Sequence, residues 1–567
     1  MTKSKKQTSS QKDLAKRPRH KAPAAKSRAS SLTNTGARSR ASFTADSGTK
    51  SASKSASKSA SKSEANYILA IDQGTTGTTV TLIHRSGHAV ATTTQEYQQI
   101  YPQPGWVEHR PIDIWKSVES TTTKCLKLAK LKGSDIATIG ITNQRETVIL
   151  WDKKSHRAVH NAIVWQDRRT AEQCDEWKKE GLEEMIRAKT GLVIDPYFSA
   201  SKLKWILDQN PQLRTRAKAG ELRAGTVDSY LVSRLTAGRV HATDVSNASR
   251  TMLMNLDTGA WDSDLLNLFN VPSLCLPEIR DSNGDFGVTQ NLSFLPDGIP
   301  INGVAGDQQA ALFGQTCFTE GEAKCTFGTG SFLLMNTGTE RVPSKSGLLT
   351  TAAWRLKNQK GPVGSSERQK ITYALEGGAF VCGAAVQFLR DQLGFIKKSE
   401  EIESLAKTVQ NSGGVEFVPA LTGLGAPHWN PYARGMICGL TRGSTRAHIA
   451  RATLEAMALQ NSEILFAMQA DLGKSLRSLR VDGGAAANNL LMQLQADYLG
   501  CEVIRPKLVA TTSLGAAYLA GLGAGLFADL ADVKKIWKVD RSFEPKITSH
   551  DRHERLEKWK KAVSRTS

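Results

Sequence analysis

The sequence predicts an α/β protein built from two related domains. The apolar run Tyr67-Ile68-Leu69-Ala70-Ile71 stops at Asp72 and the turn Gly74-Thr75-Thr76-Gly77, after which Thr79-Val80-Thr81-Leu82-Ile83 resumes as a second strand. Ile112 to Leu131 then has helical periodicity, and Ile136 to Thr142 reads as another strand, so strands and helices mix within one domain. The opening recurs far down the chain. Ala323-Lys324-Cys325-Thr326-Phe327 runs into Gly328-Thr329-Gly330 and on into the apolar Phe332-Leu333-Leu334-Met335, which marks a second domain of the same kind.

At 567 residues the chain is long enough for more than one core, and 40% apolar with 23% charged residues is ordinary for a globular protein. No uncharged apolar run reaches the ~18 residues of a membrane span. Leu514 to Ala528, rich in Gly and Ala, reads as a packed helix instead. The formal charge of +21 points at first to a nucleic-acid binder. Residues 1–65, however, hold 16 Lys/Arg against 3 Asp/Glu, so the basicity belongs largely to a tail. That tail is Ser/Ala/Lys-rich and carries an S-A-S-K repeat over Ser51 to Lys62, a composition expected to be disordered and to contact nucleic acid or acidic surfaces if it binds anything. Eight Cys without a C-x-x-C pair fit reduced thiols in a cytoplasmic protein, where the sequon Asn247-Ala248-Ser249 is unused.

Four segments have chemical content. Asp72 to Thr79 has no G-x-x-x-x-G-K-[ST] pattern, but a Gly/Thr hairpin aims backbone N–H groups and hydroxyls at phosphate oxygens, and the strand-end Asp72 suits magnesium. A plain hairpin with a turn-capping Asp reads the same way. Asp307, where the strand Pro300 to Ala305 gives way to a helix, is placed to be a helix N-cap or a general base. Asn143-Gln144-Arg145-Glu146 follows a strand end, where α/β folds put ligand contacts; the pair suits a polyol, or else is a surface ion pair. Val481-Asp482-Gly483-Gly484, leading to Asn488, opens a long helix either for a nucleotide or for helix–strand packing.

Together with Tyr101 to His109, Asn161 to Arg169, Thr190 to Ser199 and Phe417 to Pro427, these segments resemble the FGGY carbohydrate kinases, most closely their glycerol-phosphorylating branch, from about Tyr67 to Trp559. The resemblance implies two duplicated ribonuclease-H-like (actin-like ATPase) domains, residues 66–315 and 316–567, with an interdomain cleft. It implies ATP and Mg2+ as cofactors, glycerol as acceptor, and a homo-oligomer, dimer or tetramer. In the family pattern Arg145, Glu146, Tyr197, Asp307 and Gln308 hold the acceptor hydroxyls, Trp165 and Phe332 wall its carbon edge, and Asp307 is the catalytic base. Asp72 belongs to the magnesium shell. Thr75, Thr76, Gly77 and Thr79 match the first phosphate hairpin, Thr329 and Gly330 the second, and Gly383, Gln387, Gly484 and Asn488 the nucleotide contacts.

Two departures stand out. Thr79 occupies a position where the family commonly has Arg, which removes one phosphate-directed charge. Thr289 to Pro296 lacks the Gly/Lys-rich loop of relatives inhibited by fructose 1,6-bisphosphate, so that inhibition is not expected. Arg355 to Lys370 reads as an expanded polar surface loop without assigned chemistry. Competing readings are a kinase of the same fold for another polyol or a ketose, and a non-enzymatic actin-like or nucleic-acid-associated protein.

Overall fold

Strand β1 (Tyr67–Gln73) pairs antiparallel with β2 (Gly77–His84), Asp72 lying opposite Thr79, and β3 (Ala89–Glu96) continues the meander. On the other side of β1, β4 (Ile136–Asn143) and β5 (Ile301–Gly306) run parallel to it, giving the order β5-β4-β1-β2-β3. This computed structural model describes residues 65–357, 370–430 and 432–566. The basic tail through residue 64 and residues 358–369 of the polar loop lie outside the described residues.

The second sheet contains β6 (Ala323–Phe327), β7 (Ser331–Gly338), β8 (Leu349–Arg355), β9 (Ile371–Ala379), β10 (Ser478–Asp482), β11 (Glu502–Pro506) and β12 (Val539–Phe543). Its order is β8-β9-β7-β6-β10-β11-β12. The run β11-β10-β6-β7-β9 repeats β5-β4-β1-β2-β3 with the same parallel and antiparallel senses at every step. The expected duplication is therefore present in the hydrogen-bond topology, although the two halves share little sequence beyond their Gly/Thr turns.

The central strands of each sheet are buried on both faces, which explains why they read as continuous apolar runs rather than as alternating patterns. In β1, Leu69 and Ile71 enter a core with Ile114 and Val118 of helix α1 (Pro111–Ala129), whereas Ile68 and Ala70 enter a central core with Phe313, Leu514 and Leu519. In β7, Leu333 and Met335 face Leu454 and Leu459, while Leu334 joins that same central core. The core shared by the two sheets is built on helices α2 (Asp307–Gly314), which follows β5, and α6 (Thr511–Gly523), which follows β11. Between them in the chain come α3 (Gly383–Asp391), α4 (Arg446–Leu472) and α5 (Asn489–Leu499).

Helices α2 and α6 touch backbone to backbone. A Cβ on Gly515 would lie 1.8 Å from the Ala310 carbonyl oxygen, and one on Gly314 would lie 2.0 Å from that of Thr511. The Gly/Ala richness of the 514–528 stretch thus serves a helix crossing, and the helix itself ends at Gly523. Among the described residues no helix is long and apolar enough to cross a membrane, and all eight Cys are free.

Candidate active site

The site begins where β4 ends. Gln144 leads into a tight turn closed by the Thr147 N–H on the Arg145 carbonyl (2.7 Å), with Glu146 at φ +61°, a conformation that non-glycine residues seldom adopt. The turn drives Arg145 and Glu146 inward. Both are buried, so the surface-ion-pair reading fails. Arg145 grips Glu376 of β9 through two bonds (Nη1–Oε2 2.6 Å, Nη2–Oε1 2.8 Å), and its Nε stands 3.1 Å from Asp307 Oδ1. Its remaining donors go to Gln309 Oε1 (3.2 Å) and, at 3.4 Å, to the Tyr197 hydroxyl. Arg250 completes the cluster through Glu146 Oε1 (2.7 Å) and Glu376 Oε1 (3.1 Å). Burial alone pushes the Glu376 carboxyl up, but the two guanidinium groups outweigh it and hold it at about 2.

Asp307 is the first residue of α2, with Gly306 preceding it as the N-cap, so it does not cap the helix. Its Oδ1 accepts from the Gln308 N–H (2.7 Å), and its side chain is 29% exposed, the most accessible member of the cluster. Burial raises its pKa against the pull of Arg145 and Lys324. The Gly306 N–H is pinned by Ser246 Oγ (2.9 Å), whose own hydroxyl donates to Asp244 (2.9 Å). The same segment buries Asn247 completely against Asn143 (3.0 Å), which leaves the sequon inaccessible in the fold.

The structure brings Trp165, Tyr197 and Phe332 together. Trp165 meets Tyr197 edge-on at 5.6 Å and Phe332, from the other half, at 6.5 Å. Its Nε1 donates to Thr75 Oγ1 (2.8 Å), tying the wall to the first hairpin. The Tyr197 loop is held from behind by the buried Lys202, whose ammonium donates to the carbonyls of Pro196, Tyr197 and Phe198 at 2.6, 2.6 and 2.9 Å.

The hairpin at Gly74 to Gly77 is braced by the Tyr97 hydroxyl (2.5 Å) and Gln144 (3.2 Å), both donating to the Gly74 carbonyl. Gly77 is obligatory there, since a Cβ would lie 2.6 Å from the Gln95 carbonyl oxygen. Thr76 is exposed, and Thr79 Oγ1 lies 2.9 Å from Thr94 Oγ1. Asp72, at the strand end beside this hairpin, has Ser513 Oγ at 3.4 Å and no ion-pair partner among the described residues. Burial, then the charge of Asp307, raise it to about 7.

The second hairpin mirrors the first and docks on α3. The N–H groups of Gly383 and Ala384 bind the carbonyls of Gly328 and Thr329 at 3.0 Å each, so Thr329, Gly330 and Gly383 share one corner. Gln387 is exposed one turn further along α3. Gly483 and Gly484 differ in kind. Gly483 (φ +86°) is forced by the Phe327 carbonyl oxygen, 2.5 Å from any Cβ, whereas a Cβ on Gly484 would meet open space. Packing therefore accounts for Gly483 and not for Gly484. The glycine pair opens into a single 3-10 turn (Gly484–Ala487) before α5, and Asn488 caps that helix through the Leu491 N–H (2.9 Å). Its Oδ1 thereby serves the helix start.

Glu376, Arg250 and Lys324 were not foreseen. Two of them nonetheless left a trace in the sequence. Glu376 and Lys324 are lone charges inside otherwise apolar strands, Ile371–Ala379 and Ala323–Phe327, and such residues are rarely buried without a job.

Profiles of the FGGY family of carbohydrate kinases match this chain twice, the N-terminal domain over residues 67–314 and the C-terminal domain over 323–524. The chain belongs to the FGGY family of carbohydrate kinases. Among FGGY relatives, a glycerol kinase of Bdellovibrio bacteriovorus is 62% identical over 501 residues, covering 88% of this chain and 99% of the relative. One of Myxococcus xanthus is 52% identical over 502 residues, with 88% and 99% covered. The crystal structure of Plasmodium falciparum glycerol kinase with ADP superposes with a TM-score of 0.82 at 38% identity, covering 89% of this chain and 98% of that one. A xylulose kinase structure from Lactobacillus acidophilus, at 22% identity and TM-score 0.75, shares the fold.

Proposed function

We propose that this chain transfers the γ-phosphoryl group of ATP to glycerol, giving sn-glycerol 3-phosphate and ADP. The observation that carries the reading is the site's composition. A partly exposed carboxylate, Asp307, is held beside a fully engaged guanidinium, an aromatic wall and two Gly/Thr hairpins, in a chain whose relatives at 51–62% identity are named glycerol kinases. Xylulose and gluconate kinases share its fold at only 22% identity, which places a ketose acceptor second.

Phosphoryl transfer asks for alignment and charge neutralisation more than for covalent chemistry. Asp307 accepts the proton of the attacking hydroxyl. Arg145 holds Asp307 in place rather than serving as a free ligand, because its donors are already engaged. Glu146, with Oε1 taken by Arg250, keeps Oε2 for a substrate hydroxyl, and Gln308 and Tyr197 supply further polar contacts. Trp165 and Phe332 cover the hydrocarbon edge. Thr75, Thr76, Gly77, Thr329 and Gly330 face the phosphates, with Gly383, Gln387, Gly484 and Asn488 toward the nucleoside. Asp72, a hard oxygen donor with no ion-pair partner among the described residues, would hold the magnesium ion. When bound, that ion neutralises charge on the β- and γ-phosphates.

A coupled ADP-release assay tests the reading. Glycerol turnover should far exceed xylulose turnover, should require magnesium, and should vanish in Asp307→Asn while ADP binding and thermal stability persist. Xylulose or erythritol turnover well above glycerol overturns the acceptor, and an active Asp307→Asn variant overturns the base.

A further inference from the structure

Lys324 is a fully buried cation on β6, four residues before the second phosphate hairpin, and it belongs to no ion pair among the described residues. Its ammonium donates to three uncharged oxygens: Gln308 Oε1, Thr326 Oγ1 (2.8 Å) and the Phe332 carbonyl (3.3 Å). The neighbouring buried guanidinium groups differ. Arg145 is neutralised by Glu376 and Asp307, and Arg250 by Glu146 and Glu376. A buried ammonium without a counter-charge is costly, and a fold keeps one where an anion arrives to complete it.

The three contacts fix where that anion must come. Gln308 adjoins the general base at the start of α2. Thr326 precedes the hairpin Gly328-Thr329-Gly330 and Phe332 follows it, Thr326 and Phe332 being direct partners across β6 and β7. The ammonium therefore lies between the acceptor residues and a phosphate hairpin, with Asp307 and Asp482 the carboxylates close enough to act on it electrostatically. The first hairpin carries Thr79 and so brings no cation from its own side.

Building on the glycerol-phosphorylating reading, we propose that Lys324 is a catalytic residue whose ammonium contacts the phosphoryl group as it passes from ATP to the acceptor. In that step the acceptor oxygen forms a bond to the γ-phosphorus and the bond from that phosphorus to the β,γ-bridging oxygen breaks. ADP keeps the electron pair, and the hydroxyl proton goes to Asp307. Lys324 gains no proton and loses none. It meets the charge on the non-bridging oxygens, the place where a fixed cation acts on the transition state more than on the ground state.

The experiment compares wild type with Lys324→Met, Lys324→Gln and Lys324→Arg in full-length protein, measuring kcat, glycerol KM, ADP affinity and melting temperature between pH 6 and pH 9. The expected result is a kcat at least 100-fold lower in Lys324→Met at every pH, with glycerol KM and ADP affinity within threefold of wild type. Lys324→Arg should retain at least tenfold more turnover than Lys324→Gln, and this comparison decides the matter if the methionine variant does not fold. A kcat within fivefold of wild type overturns the proposal, as does equal turnover in the Arg and Gln variants. A loss confined to glycerol KM would make Lys324 a support for Gln308, and recovery of full rate at pH 9 would limit it to ionising Asp307; both also overturn it. Failure of wild type itself to phosphorylate glycerol would instead defeat the functional reading, so the two failures are distinct.

Discussion

Arg145 and Glu376 form a buried, two-pronged ion pair that joins the two halves of the protein directly beside Asp307. One partner sits in the turn after β4 of the first sheet, the other midway along β9 of the second, and Asp307 shares the same guanidinium. Any relative movement of the sheets is therefore felt at Asp307, the proposed base.

Removing Glu376 leaves two buried guanidinium groups short of a counter-charge. Glu376→Ala should lower unfolding free energy by about 3–5 kcal/mol, the usual cost of breaking a buried pair from one side. Turnover should fall with it, because Arg145 no longer holds Asp307. Urea unfolding and steady-state kinetics check both parts. An unaffected kcat in a destabilised variant would separate the pair's structural role from a catalytic one.

Lys202 gives the pH dependence a definite sign. Burial lowers its pKa to about 8, against the pull of Glu146, Asp167, Asp195 and the Cys174 thiol around it. Between about 8 and the ordinary lysine value the unfolded chain carries a proton that the folded chain has shed. Stability should therefore rise with pH across that window, by at most about 3 kcal/mol on the conversion of pKa shift to free energy. Urea unfolding from pH 7.5 to pH 10.5 should show this slope in wild type and lose it in Lys202→Met. The same variant should raise glycerol KM, because three carbonyls around Tyr197 lose their anchor, and should leave ADP affinity unchanged.

The crossing of α2 and α6 predicts the response to a single methyl group. In Gly515→Ala the new Cβ meets the Ala310 carbonyl at a distance no neighbouring side chain can relieve, so the helices must separate. Overpacking of this kind costs about 1–3 kcal/mol and sometimes more. Because Asp307 opens α2, kcat should fall further than ADP affinity does. Calorimetric melting and the coupled assay measure the two effects.

The parts of this fold that are local were legible in the sequence. The hairpin at Asp72 to Gly77 and its repeat at Gly328 to Gly330 announce themselves by turn chemistry, and the paired sheets follow. Asp307 was legible as a residue but not as a position, since the cap is Gly306 and a one-residue shift at a helix start leaves no mark in composition. What stayed hidden is the cross-sheet cluster. Arg145 and Glu376 are 231 positions apart in the chain, and only the folded topology brings them together. Gly483 and Gly484 look alike in sequence and part company in space, one filled by the Phe327 carbonyl and the other open.

Thr79 offers the last test. It lies on β2 directly opposite Asp72, and its hydroxyl is spent on Thr94 at 2.9 Å. Thr79→Arg would place a cation beside the first phosphate hairpin and lose one exposed hydroxyl contact, a loss of about 1 kcal/mol at most. A partly exposed cation facing phosphate contributes about 0.5–1 kcal/mol, so ATP KM should fall roughly two- to fivefold and become more sensitive to salt. The same guanidinium would stabilise the ionised form of Asp72 and compete with a divalent cation for it. The concentration of magnesium needed for half-maximal rate should therefore rise in the variant. Titrating magnesium at saturating ATP separates the two effects. A lower ATP KM with an unchanged magnesium requirement would show that the new side chain reaches the phosphates without reaching Asp72.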